Sequence, residues 1–133
     1  MGVYNIVIVN DIEIGIKAEN IVELFDTIAK VFCELTLEET PEGEMEKEIR
    51  LNCDLPDAAV DFFNELIYLF ETEGFSPRSI VDFKRDKGIY IKIAGSIRDF
   101  KKNKIKRLLK AATYHNLEFK NKNGYFVKML IDI

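Results

Sequence analysis

Apolar and polar positions change period several times along this chain, and each change marks an element. Residues 3–9 (VYNIVIV) are a short apolar run closed by the turn pair Asn10-Asp11. From Ile12 to Lys17, apolar Ile12, Ile14 and Ile16 alternate with Glu13, Gly15 and Lys17. That is the period of a half-buried strand with Glu13 on its exposed face. Gly15 marks a bulge there, or a place where a backbone or ligand comes close. Asn20 and Glu23 read as a capping box. Ile21, Leu24, Phe25, Ile28, Phe32 and Leu35 then recur at helical spacing, predicting an amphipathic helix over 20–36. Residues 38–48 are acidic, contain Pro41 and Gly43, and read as a solvated loop. Residues 45–53 alternate weakly, as an edge-like strand.

Asp54 reads as the cap of a second helix, with Pro56 in its first turn. Val60, Phe63, Ile67 and Phe70 form one row, and Phe62, Leu66 and Leu69 the next. An apolar arc this wide places the helix between layers. Gly74 ends it. Strands over 79–84 and 89–93 are joined by a hairpin turn at 85–88, and Gly95 closes the second. In residues 108–133, two runs rich in β-branched and aromatic residues flank Asn123-Gly124, a strong hairpin signal. The final strand, 125–133, brings Asp132 beside the carboxylate of Ile133. The pattern predicts an α+β fold in one domain over 1–133. Mostly antiparallel or mixed sheets pack against two amphipathic helices, with the terminal strand buried beside its neighbours.

Of 133 residues, 47% are hydrophobic and 32% charged, which suits a folded core. No apolar run is long enough to span a bilayer, and the N-terminus does not read as a signal peptide. Cys33 and Cys53 have no metal-ligand spacing and read as reduced core thiols of a cytoplasmic protein. The net charge of −4 hides an asymmetry: residues 1–77 hold 4 Lys/Arg against 18 Asp/Glu, and residues 78–133 hold 15 against 5. A basic half of this kind suits an RNA or an RNA-bound protein, unless the fold interleaves the two halves. Six of the eleven residues in 97–107 are basic: Arg98, Lys101, Lys102, Lys104, Lys106 and Arg107. They are candidate RNA-backbone contacts, although Phe100 alone makes a poor stacking platform. The segment reads either as a basic amphipathic helix or as a loop.

One histidine, His115, excludes a zinc centre built on histidines, and no glycine loop for phosphate or serine-nucleophile motif is present. The better lead is carboxylates. Asp132 and the Ile133 terminus are hard oxygen ligands, and Glu13 or Asp11 from another strand would complete a site for Ca²⁺ or Mg²⁺.

Lys110-Ala111-Ala112-Thr113-Tyr114-His115-Asn116-Leu117 resembles the K-A-x-T-Y-H-x-L signature of the archease family. The closing Ile131-Asp132-Ile133 and the helical stretch DFFNELIYLFETEGF resemble that family's corresponding segments. Archeases activate the RNA ligase of tRNA splicing. The resemblance implies a non-enzymatic activator that promotes guanylylation of the ligase and its multiple turnover. It implies a divalent metal, calcium, held by Glu13 and Asp132. Lys110, with His115, would position the metal, the nucleotide or the partner. It also makes 97–107 a loop or short turn followed by a strand that contains Lys110. The N-terminal motif H-T-A-D-x-G departs here to Asn10-Asp11-Ile12-Glu13-Ile14-Gly15, and a later Gly-Glu pair reads Gly95-Ser96. Two other readings stand beside this one: a general RNA-binding or RNA-modification-modulating module, and a small metal-dependent hydrolase.

Overall fold

Two antiparallel sheets enclose a pair of helices in the computed structural model, which describes all residues except Met1, Phe100, Lys102 and Asn103. The order along the chain is β1 (Val3–Ile8), β2 (Ile12–Ala18), α1 (Ile21–Thr36), β3 (Met45–Leu51), α2 (Asp57–Glu73), β4 (Phe75–Arg85), β5 (Ile89–Ile97), β6 (Ala111–Asn121) and β7 (Tyr125–Asp132). One sheet has four strands in the order β1-β2-β7-β6; the other has three in the order β3-β5-β4. Each helix touches strands of both sheets. No described helix is long and apolar enough to cross a membrane.

The strand periods dictate the inner faces. Ile12, Ile14 and Ile16 of β2 and Val127, Met129 and Ile131 of β7 point inward from the first sheet, and Ile89, Ile91 and Ile93 of β5 from the second. The helices meet through aromatics. Phe32 of α1 stacks edge-on against Phe63 and Phe70 of α2, and Phe25 against Phe62. Full burial of each such ring contributes about 1.5–3 kcal/mol. The wide apolar arc of α2 is needed because it is covered by α1 and by strands of both sheets. The Asn123-Gly124 turn takes the predicted left-handed backbone, φ 56° and 111°. β7 lies inside its sheet, between β2 and β6.

Three local expectations are corrected. Asp54 does not cap α2: the helix starts at Asp57, and Pro56 precedes it without a side-chain cap. The Asp54 carboxylate accepts instead from Leu55 N–H (2.8 Å) and from the Arg85 guanidinium. The free N–H groups of Ala58 and Ala59 go to the carbonyls of Asp54 and Pro56. Gly95 does not close β5, which runs to Ile97; a Cβ at Gly95 would lie 2.2 Å from Ser76 O, so glycine lets β4 approach. Lys110 lies one residue before β6 rather than within a strand.

No described residue of 97–110 is helical. The segment instead closes the end of α1. Lys106 N–H donates to Thr36 O (2.7 Å), Lys106 Nζ to Glu34 O, and Arg107 to Leu35 O. The last turn of α1 has no basic residue of its own. Its carbonyls left without partners in the helix and its negative dipole end attract these two cations.

Candidate functional site

The site grows from the register of three strands. Glu13 on β2 sits opposite Leu130 on β7, and Asp132 lies two residues further along β7. All three therefore share the face of the first sheet turned away from the helices. The register that pairs Ile12 with Ile131 runs on toward Asp11 and Asp132 at the same sheet end. On β6, Ala111 pairs with Asp132 and Thr113 with Leu130. Lys110 is exposed, and its N–H donates to Asp132 O at 2.9 Å. The fold thus brings Asp11, Glu13, Lys110, Asp132 and Ile133 to one end of one sheet.

Two residues of α2 that the sequence reading missed hold this arrangement. Asn64 grips the backbone of Ala112 on both sides: its Nδ2 donates to Ala112 O (3.1 Å), and its Oδ1 accepts from Ala112 N–H (2.8 Å). Asp61 accepts from the Tyr114 hydroxyl (3.0 Å) and from the Cys53 thiol (3.2 Å). The start of β6, with Lys110 just before it, is thereby fixed to α2. The signal for Asn64 was available: it interrupts the apolar run AAVDFFNELIYLF. Burial and the neighbouring Asp61 carboxylate push the Cys53 thiol up to about 11 and the Tyr114 hydroxyl up to about 12. Burial also raises the Cys33 thiol, which donates to Pro77 O at 2.6 Å. Both cysteines are free thiols, half-buried and held protonated at neutral pH.

Lys128 is the third missed residue. Its ammonium lies 3.1 Å from the Glu13 carboxylate, and Glu118 faces it from β6. The Glu13 hydrogen bond and the charges of Glu13 and Glu118 raise its pKa. Period two along β7, from Asp132 through Leu130 to Lys128, was the signal. The pair forms one wall of a shallow depression of about 360 Å³, also lined by Val3, Asn5, Gly15 and Phe126. Gly15 is no bulge, since the register continues through it to Asn5 and Lys128. It leaves open the space that a side chain would fill.

The donor set was tested for a divalent ion. Ca²⁺ takes roughly six to eight oxygen ligands. Among the described residues no three His, Cys, Asp or Glu side chains gather in a group that holds a metal. Glu13 is already neutralised by Lys128. The residues present do not fit a calcium centre built by this chain alone.

The other expected residues disperse. His115 is exposed in the irregular stretch of β6 between Thr113 and Glu118, next to Asn116 at φ 56°. Of the basic run, Lys102 and Phe100 lie outside the described residues. Lys106 and Arg107 face α1. Arg98 lies over the Phe70 ring at 5.9 Å, and its N–H donates to Gly74 O. Lys101 and Lys104 are exposed.

Comparison with known proteins follows this geometry. Residues 8–133 match the model of the archease protein family. The chain is 30% identical to protein archease of Archaeoglobus fulgidus over 129 residues, covering 92% of this chain and 93% of that one. It is 29% identical to protein archease of Methanosarcina mazei, covering 92% and 90%. The solution structure of protein 1598 of Methanobacterium thermoautotrophicum has the same fold, with TM-score 0.73, 18% identity, and coverage of 99% and 98%. So does the crystal structure from Thermotoga maritima described as an archease, possible chaperone, with TM-score 0.64, 23% identity, and coverage of 93% and 91%.

Proposed function

The chain belongs to the archease family, and from that premise we propose that it activates a tRNA-splicing RNA ligase, promoting guanylylation of the ligase and its multiple turnover. The observation that carries this reading is the bond between Lys110 N–H and Asp132 O. It ties the two residues that match the family's segments to one sheet end, beside Glu13. Lys110 offers an ammonium to a phosphate or carboxylate of the partner, and Asp132 offers a carboxylate to its cations. Glu13 is held at the rim by Lys128.

The chemistry stays with the ligase. This chain's two thiols are held protonated, and its one histidine stands exposed at a strand irregularity. Lys106 and Arg107 are turned to the carbonyls of α1, which favours the ligase over free RNA as the partner.

Multiple-turnover ligation by the tRNA-splicing ligase of the same source, with GTP and divalent metal, tests the reading. The protein stimulates turnover, and Lys110→Ala and Asp132→Ala each remove most of that stimulation without changing the melting temperature. No stimulation by the folded wild type sinks the reading. Metal needed in that assay is drawn by the ligase: calorimetric titration of Ca²⁺ into this protein alone gives no heat of tight binding, and chelator leaves its melting temperature unchanged. A micromolar site in the isolated chain reverses this assignment.

A further inference from the structure

The two sheets have four edges, and three are blocked against pairing with another strand. β3 carries Glu46, Lys47, Glu48 and Arg50. β4 contains Pro77, two register shifts, and Arg78, Asp82, Lys84 and Arg85. β6 is broken between Thr113 and Glu118, and Asn64 occupies both backbone groups of Ala112. Charges, proline, bulges and a covering side chain are the devices that keep sheet edges from joining.

β1 has none of them. Residues 2–10 contain no charged residue and no proline, and β1 pairs with β2 without a shift. The strand and its exit are apolar and open: Val3 is 70% exposed, Val7 43%, Ile8 47% and Val9 80%. Every second N–H and C=O of β1 points away from β2.

We propose that β1 is a homodimer interface, in which two copies pair β1 with β1 antiparallel about a two-fold axis. An antiparallel edge complements itself, because the two-fold exchanges donors for acceptors. Facing copies of a charge-free strand meet no like-charge repulsion. The opposite edge of the same sheet, β6, is blocked, so association stops at two. The joined sheet has twice four strands. The outer faces carrying Glu13 and Asp132 remain open in both copies.

Sedimentation velocity over micromolar to near-millimolar protein tests this, with Val7→Lys as the variant. Val7 pairs with Glu13 across the β1–β2 ladder, so a lysine there meets an acid within its own chain and keeps the fold. The wild type shifts from monomer to dimer as concentration rises. Val7→Lys stays monomeric with unchanged far-ultraviolet circular dichroism. Should it misfold, Val9→Lys, outside the strand, is read by the same criterion. Independently of any variant, amide exchange of residues 3–8 slows with concentration while that of β3 does not. A wild type that stays monomeric, a dimer that survives the lysine, or β1 exchange indifferent to concentration overturns the proposal.

Discussion

The two helices are mirror images in where their ends come from. α1 starts from its own sequence: the Asn20 side chain accepts from Glu23 N–H at 2.9 Å. It ends on borrowed groups, since Lys106 and Arg107 arrive from a segment some seventy residues away to meet its last carbonyls. α2 ends from its own sequence, with Gly74 at φ 72° and its N–H on Phe70 O. Its start has no side-chain cap. A second difference matters more for function. Both helices anchor a strand with polar side chains: α1 holds β4, with Asp26 accepting from Ile80 N–H and Cys33 donating to Pro77 O, whereas α2 interrupts its apolar arc with Asp61 and Asn64 to hold β6 beside the site. The difference teaches that the same device positions different strands, and that only α2 applies it to the strand next to Lys110.

Asn64→Ala gives the sharpest test of that difference. It leaves the N–H and C=O of Ala112 without their partner at a buried residue. A buried polar group left unpaired costs about 1–3 kcal/mol. The expected outcome is a loss of that order in denaturant unfolding, together with loss of ligase stimulation as Lys110 loses its fixed place. No change in stimulation at an equal stability loss makes Asn64 a packing residue only, and the comparison with α1 then fails.

The helix ends come next, with smaller effects. Asn20→Ala removes a cap and costs about 1 kcal/mol. Gly74→Ala forces a side chain into the left-handed region and costs roughly 1 kcal/mol as well. Both leave ligase stimulation intact, because neither touches the α2–β6 bonds. A stimulation defect in either variant, measured where the protein is folded, argues that the helices position the site jointly.

Much of this was legible in the chain, and the rest was hidden for one reason. Period two and period 3.6 depend on neighbours in sequence, so β2, α1, the arc of α2 and the 123–124 turn were all readable. The Asp54 cap failed because a distant partner, Arg85, took the carboxylate that local spacing assigned to the helix. Residues 97–107 were ambiguous because two of their cations, Lys106 and Arg107, answer to the end of α1, which no local pattern reveals. The same holds at the site. Asp132 was found as a carboxylate ligand and Lys110 through the resemblance to a family, but Lys128 and Asn64 became visible only through cross-strand register and helix-to-strand contact. The carboxylates alone pointed to Ca²⁺ or Mg²⁺ and the family resemblance to calcium, whereas the lysine beside Glu13 comes from cross-strand register.

The weakest arm of the comparison is the Asp61 contact, and it is read best by pH. Cys53 titrates at about 11 in the fold, raised first by burial and then by the hydrogen bond and charge of Asp61. A raised thiol pKa means that the folded state favours the protonated form. Its contribution to stability is whole below the unfolded value near 9 and is lost as pH climbs toward 11. Tyr114, raised to about 12, extends the loss through the next step of pH. Asp61→Asn removes the charge but keeps the burial. In a Cys33→Ser background, thiolate absorbance of that variant should titrate below 11 yet above 9, and the alkaline decline in stability should become shallower. A midpoint that stays where the wild type has it assigns the shift to burial and to the charges of Asp57 and Asp54, and removes Asp61 from the causes of the raised thiol.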